Sequence, residues 1–192
     1  NPVAVAAGLA TLGALGPEVY ASLEAVGAQI ALNTLLGGIG AGVTIGILAY
    51  ITFQSTLSGS VYGLWLAASF GSSVVVVFGY PENEFAQPKN VLLGHLLCTL
   101  IGIIFVTLFK ISQDRTIFFL IIGLAVGISV MLMMYFKITH PPAGGNAIVV
   151  IMAQESFQFL IFPILVGVVS IIIGGIIYNR FILKKNYPLK WF

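Results

Sequence analysis

One eight-residue stretch, Thr139-His140-Pro141-Pro142-Ala143-Gly144-Gly145-Asn146, limits what this chain can fold into. It follows an apolar run of membrane length and precedes a second, shorter run at 147–152. Proline lacks an amide hydrogen and glycine is conformationally loose, so the stretch cannot continue a helix. Irregular backbone at membrane depth is tolerated only where it is buried in protein or lines a polar cavity. The stretch therefore points to a pathway through a membrane protein. The rest of the chain agrees, because only 7% of its 192 residues are charged and 59% are hydrophobic. A soluble domain carries roughly 25% charge. Lipid must be the solvent for most of this surface.

Four segments have the ~20 residues that cross ~30 Å of hydrocarbon. They are 35–53, 91–109, 117–136 and 157–178. Two shorter apolar stretches, 64–79 and 141–152, fall short of a comfortable span. These two resemble copies of each other at an offset of 74, which aligns Gly71 with Gly145 and Ser72 with Asn146. Each follows a long apolar segment and is followed by acids, Glu82 and Glu84 in one case and Glu155 in the other. The expected fold is an all-α membrane protein of four transmembrane helices plus two re-entrant or broken half-helices, arranged as two parallel repeats. The repeats cover about 37–109 and 116–178 within a transmembrane domain of 37–180. Residues 1–36 read as a peripheral helical segment and 181–192 as a basic-aromatic tail. Residues 3–16 are apolar but lack a preceding basic residue, which reads against a secretory signal.

With both short stretches re-entrant, Lys110 and Arg115 share a side with Arg180, Lys184, Lys185 and Lys190. That side holds six of the eight Lys and Arg residues. The positive-inside rule makes it cytoplasmic, or stromal in a plastid, with both broken segments opening from the other face. A rival arrangement makes 64–79 a full crossing and puts the two motif loops on one face.

A half-helix beginning near the midplane offers unpaired amides and a partial positive charge, a site for an anion or a polar solute without a costly buried cation. The two candidate N-termini supply Gly71, Ser72 and Ser73, and His140, Pro141, Pro142, Gly144, Gly145 and Asn146. The glycines would admit a solute close to backbone. The serines and Asn146 would add donors. The alternative is that these residues form tight kinks between packed helices. His140 and His95 read either as solute-binding or proton-coupling groups or as caps for freed backbone. Gln87 and Asn90 could face the mouth of the pathway, with His95 coupling it, or belong to a capped interhelical loop.

Two histidines do not supply the three or four ligands of a metal site. The single cysteine, Cys98, excludes an intramolecular disulfide. No cofactor is expected. A net charge of +2 gives no reason to expect nucleic acid. No nucleophile stands beside a base, so an enzyme is not expected. Gly38, Gly42 and Gly46, and Gly123 and Gly127, have the small-xxx-small spacing of close helix contact, within a chain or in a homo-oligomer.

The motif resembles the signature of the HPP family of integral membrane proteins. Phe70-Gly71-Ser72-Ser73, Ala86-Gln87-Pro88-Lys89-Asn90-Val91 and Gly94-His95 resemble that family's other block, and the likeness covers about 35–180. Asn146 stands where the pattern leads one to expect a small residue. The resemblance implies four transmembrane helices and a role in nitrite transport, in a bacterial inner membrane or plastid envelope. Nitrite is a small monovalent anion and the conjugate base of a weak acid. It suits a midplane helix N-terminus, and His140 or His95 could couple its movement to protons. The leading expectation is a transporter or channel for such an anion. A membrane assembly subunit and a pathway for a small neutral solute remain the alternatives.

Overall fold

The computed structural model describes residues 16–54, 69–109 and 117–191. The described residues are helical, without strands. Four helices are long and apolar enough to cross a membrane, and two apolar helices are shorter. We number them α1 (Pro17–Gln54), α2 (Ser69–Gly79), α3 (Pro88–Phe109), α4 (Phe118–Tyr135), α5 (Gly144–Ala153) and α6 (Phe157–Ile182). A 3₁₀ turn, Pro141–Ala143, leads into α5. Large apolar side chains such as Leu108, Leu120, Leu124 and Met131 stand exposed, as a lipid-facing surface requires.

The chain divides into two units, residues 1–36 and 37–192. α1 is one continuous helix through Leu36, so the expected first span, 35–53, is its second half. Residues 1–15 of the expected peripheral segment lie outside the described residues.

Side-chain contacts fix the direction of each element in the second unit. Cys98 of α3 meets Met133 of α4, and Asn90 near the start of α3 donates to the carbonyl of Thr139 just after α4. These two helices are therefore antiparallel. α6 runs opposite to α3 as well, because the Tyr187 hydroxyl donates to the Ala86 carbonyl and the Leu189 amide donates to Gln87 Oε1. Residues 80–87, 136–140 and the tail from 183 thus share one end of the bundle, here called the near face.

This arrangement corrects two expectations. The repeats are not parallel: α1, α3 and α5 run from the near face towards the far face, and α2, α4 and α6 run back. The segments 37–109 and 118–182 therefore point in opposite directions. The tail lies not beside the end of α3 but on the near face with Lys89 and Lys137. The near face consequently carries Lys89, Lys137, Arg180, Lys184, Lys185 and Lys190. Lys110 and Arg115 belong to the link between α3 and α4, outside the described residues. The expected topology failed because the direction of 69–79 was assigned from length, whereas cross-chain packing sets it. With the two motif loops on one face, the near end agrees with the rival arrangement; residues 55–68, on which the rest of it depends, are not described.

The packing of the two halves is paired. A Cβ on Gly102 of α3 would meet Val150 of α5 at 2.8 Å, and one on Gly175 of α6 would meet Val77 of α2 at 2.5 Å. Likewise Gly94 faces Ala143 at 3.5 Å, and a Cβ on Gly167 would collide with the Phe70 ring. Members of each equivalent set lie 73 positions apart: Gly94 and Gly167, Gly102 and Gly175, Val77 and Val150, Phe70 and Ala143. Each short helix thus packs against the last long helix of the other half. The sequence offset of 74 is one residue too long, and the true register pairs Ser73 with Asn146. In lipid, where apolar burial drives little association, such close approach supplies dispersion contacts that hold helices together.

Candidate functional site

The first turn of α5 approaches α2 where the described part of that helix begins. The Ser69 hydroxyl donates to Asn146 Oδ1 at 2.7 Å. α2 rises from there to the near face, and α5 descends towards the far face. Between them stands His95, seven residues or ~10 Å into α3. Ser69 is almost wholly buried, and Ser73, His95, Thr99, His140 and Asn146 are buried completely or nearly so.

Local sequence explains the arrangement. Ser69 and Ser73, and His95 and Thr99, are spaced i, i+4, so each pair lies on one helical face. Pro141 and Pro142 occupy the first turn before α5, where a missing amide hydrogen costs nothing. They leave His140 extended, at φ −136° and ψ 98°. The absence of a Cβ on Gly94 lets the His140 side chain lie against α3, with 3.0 Å to the place where that Cβ would be.

The hydrogen bonds have one consistent assignment of protons, inferred from the network. His140 Nδ1 lies 2.8 Å from the Phe85 carbonyl, which only accepts, so Nδ1 carries the hydrogen. His140 Nε2 is then bare and accepts from the Ser73 hydroxyl at 3.0 Å. Ser73 Oγ in turn accepts from His95 Nε2 at 2.9 Å. His95 Nδ1 is left bare and accepts from Asn146 Nδ2 at 2.9 Å. The same amide nitrogen donates to Thr99 Oγ1 at 3.0 Å. Turning the Asn146 amide over would give His95 Nδ1 the hydrogen and leave two bare Nε2 atoms competing for the single Ser73 proton. The Ser69 bond and this count together fix the amide. The Phe70 ring edge packs on His95, with centroids 5.4 Å apart.

Above this centre the near face is concave. A cavity of about 470 Å³ is lined by Glu84, Phe85, Asn90, Met134, Lys137 and Thr139. An adjoining one of about 200 Å³ adds Gln87, Lys89 and Lys190. Three lysines against one glutamate make the vestibule basic, which raises the local concentration of anions. Towards the far face the centre is closed by an apolar layer that includes Ile101, Ala147 and Ile151.

The sequence-derived candidates separate into groups. Ser73, His95, His140 and Asn146 come together. Asn90 lines both cavities. Gln87 also lines the smaller one, but its side chain is occupied. Its nitrogen donates to the Pro81 and Asn83 carbonyls, and its oxygen accepts from the tail amides. His95 sits in the centre, not at the mouth. Ser72 lies on the exposed side of α2, and Pro141 is exposed while Pro142 is half-buried. Among the described residues, a Cβ on Gly71, Gly144 or Gly145 would meet nothing within 4 Å, so none of them forces glycine at these positions. Ser69, placed from sequence only at the start of the candidate stretch 69–73, Thr99 and the Phe85 carbonyl were given no role from sequence. The i, i+4 spacing to Ser73 and His95 was the available signal for the first two. A backbone carbonyl leaves none.

Comparison with known proteins places this geometry in context. The family model described as "HPP, transmembrane region" matches residues 26–188. A transmembrane protein of Dictyostelium discoideum is 34% identical over 150 residues, covering 76% of this chain and 51% of its own. Another from the same organism is 30% identical over 152 residues, covering 77% and 48%. The chain thus spans about half the length of these relatives. No solved structure matches it.

Proposed function

The chain belongs to the HPP transmembrane family, and on that premise we propose that it moves a small monovalent anion, nitrite by preference, across the membrane. The observation that carries this reading is the first turn of α5 meeting the oppositely directed α2 at a buried Ser–His–Asn centre beneath a lysine-lined vestibule. Helix N-termini favour anions, and hydroxyl and amide donors can replace part of a lost hydration shell. The opposed halves are read as an inverted repeat, an architecture whose rocking about a central site gives alternating access. The lysine excess makes the near face the cytoplasmic or stromal one, which keeps the tail on the side expected from sequence and moves the openings of the broken segments to that side.

Gly71, Ser72, Pro141, Pro142, Gly144 and Gly145 then border the route beside the centre. The test is nitrite flux into liposomes holding the purified protein, with chloride, nitrate and formate compared. Gly145→Val is an informative variant because a Cβ there meets nothing within 4 Å among the described residues, and its melting temperature is checked against wild type alongside the flux. Saturable nitrite flux that the variant loses supports the route along the first turn of α5. Full flux in the variant removes that turn from the route, and absence of any anion flux rejects the reading.

A self-association role rests on a different observation. Among the described residues, nothing lies within 4 Å of a Cβ added at Gly38, Gly42, Gly46, Gly123 or Gly127, which leaves these small-residue faces for a partner helix.

A further inference from the structure

We infer, building on the anion-transport reading, that the His95–Ser73–His140 centre takes up one proton with each anion, so that transport is an electroneutral proton symport. The argument is a count of hydrogens. In the assignment above both nitrogens of each imidazole are used, with one hydrogen on each ring, and Ser73 Oγ keeps one lone pair in reserve. Ser73 Oγ also lies 3.2 Å from the Ser69 carbonyl. If one proton is added at His140 Nε2, both Nε2–H groups can donate to the two lone pairs of Ser73 Oγ. The Ser73 hydroxyl hydrogen then turns to the Ser69 carbonyl. No heavy atom has to move, and no polar atom of the three groups is orphaned. The centre therefore has two complete hydrogen-bonded forms that differ by one proton and one positive charge.

The surroundings leave that charge for a solute to balance. Each element packed on the imidazoles presents neutral groups: Ser69, Phe70 and Ser73 from α2, Thr99 from α3, Asn146 from α5 and the Phe85 carbonyl from the 80–87 turn. No carboxylate bonds either ring among the described residues; Glu84, Lys89, Lys137 and Lys190 stand out in the vestibule. A buried imidazolium without a counter-ion is costly, and so is a buried anion. Together they form a neutral pair whose opposite charges offset one another across the centre. His140 is the member nearest water. It follows Thr139 and binds the Phe85 carbonyl, and both of those residues line the larger cavity. The proton is taken from water there, resides on His140 Nε2 while the anion is bound, and leaves with it; nothing is oxidised or reduced.

The deciding experiment follows nitrite and internal pH together in liposomes holding the full-length protein, with the membrane potential set by potassium and valinomycin. Protein-free liposomes subtract the passive flux of nitrous acid. The expected result is one proton per nitrite and an initial rate that changes less than ~2-fold across 100 mV, where movement of one uncompensated charge can change up to ~50-fold. His140→Gln, which cannot hold the extra proton, is expected to abolish proton movement and lower nitrite flux by ~10-fold or more. Wild-type nitrite flux that follows voltage without protons overturns the symport and leaves the anion-transport reading standing. One-to-one coupling retained in His140→Gln overturns the role of the centre. No nitrite flux at all rejects both.

Discussion

Val77 in the first half and Val150 in the second each fill the space beside a glycine on the last long helix of the other half. Four positions further back towards the helix start, at Ser73 and Asn146, the equivalence ends. Ser73 shares one hydroxyl between two imidazoles, whereas Asn146 offers an amide that orients one of them. The first half contributes His95, and the second contributes His140, which has no imidazole counterpart. Packing repeats across the two halves while chemistry does not. A near-symmetric scaffold tolerates this because the glycine–valine contacts are apolar and local, whereas a hydrogen-bonded ring needs unlike donors and acceptors around it.

Enlarging the paired glycines tests the shared part of this comparison and should give the largest effects. Gly102→Leu and Gly175→Leu would each drive a side chain into the facing valine. Overpacking typically costs ~1–3 kcal/mol, and a displaced backbone costs more. Both variants are expected to lose monodispersity and melt well below the wild type in detergent. Gly127→Leu, whose Cβ meets nothing within 4 Å, is expected to melt as the wild type does. A large difference between the first two would break the packing equivalence.

The unlike part is tested next. Asn146→Leu removes the donor to His95 and strands Ser69 and Thr99, and a stranded buried group costs ~1–3 kcal/mol. It should lower the melting temperature and reduce nitrite flux by ~10-fold or more. Ser73→Ala strands the Nε2 atoms of both buried imidazoles, so it should also lower the melting temperature, and it should abolish the flux because the two rings no longer share a proton. Equal melting and equal flux for the two variants would show that the positions are interchangeable.

Smaller effects belong to the vestibule and the far link. Lys137→Gln with Lys89→Gln should slow nitrite entry by ~3-fold at low ionic strength, with the difference shrinking as salt shortens the screening length. A salt-independent loss would point to direct binding. Burial pushes the Glu155 carboxyl above its usual range. An acid raised in the folded state favours the protonated form, so its contribution falls as pH rises through that raised value. Glu155→Gln is therefore expected to melt slightly higher than wild type near pH 7 and equally near pH 4. A lower melting point at pH 7 would mean that the carboxylate has a partner.

Much of the candidate site was legible before any coordinates. The broken motif, the two histidines and the second short stretch were evident because proline, glycine and ionisable groups are conspicuous in an apolar chain. Ser69 and Thr99 were not, since serine and threonine in a membrane helix commonly bond their own backbone, as Thr107 and Ser129 do here. Gly144 and Gly145 misled in the opposite sense. They suggested close approach, yet the tight contacts fall at Gly94, Gly102, Gly167 and Gly175.

By itself, the sequence determined that this is a helical membrane protein, where three of its four long helices run and where the backbone breaks. Hydropathy and the geometry of proline and glycine act locally and can be read one segment at a time. Only the tertiary structure decided the direction of the short helices, the face that gathers the lysines and the one-residue correction to the repeat. These depend on contacts between residues about 50 to 100 positions apart, such as Gly102 with Val150, Gly175 with Val77 and Tyr187 with Ala86. In lipid the apolar residues of every span are alike to the solvent, so close packing and hydrogen-bond pairing choose among the arrangements that hydropathy allows.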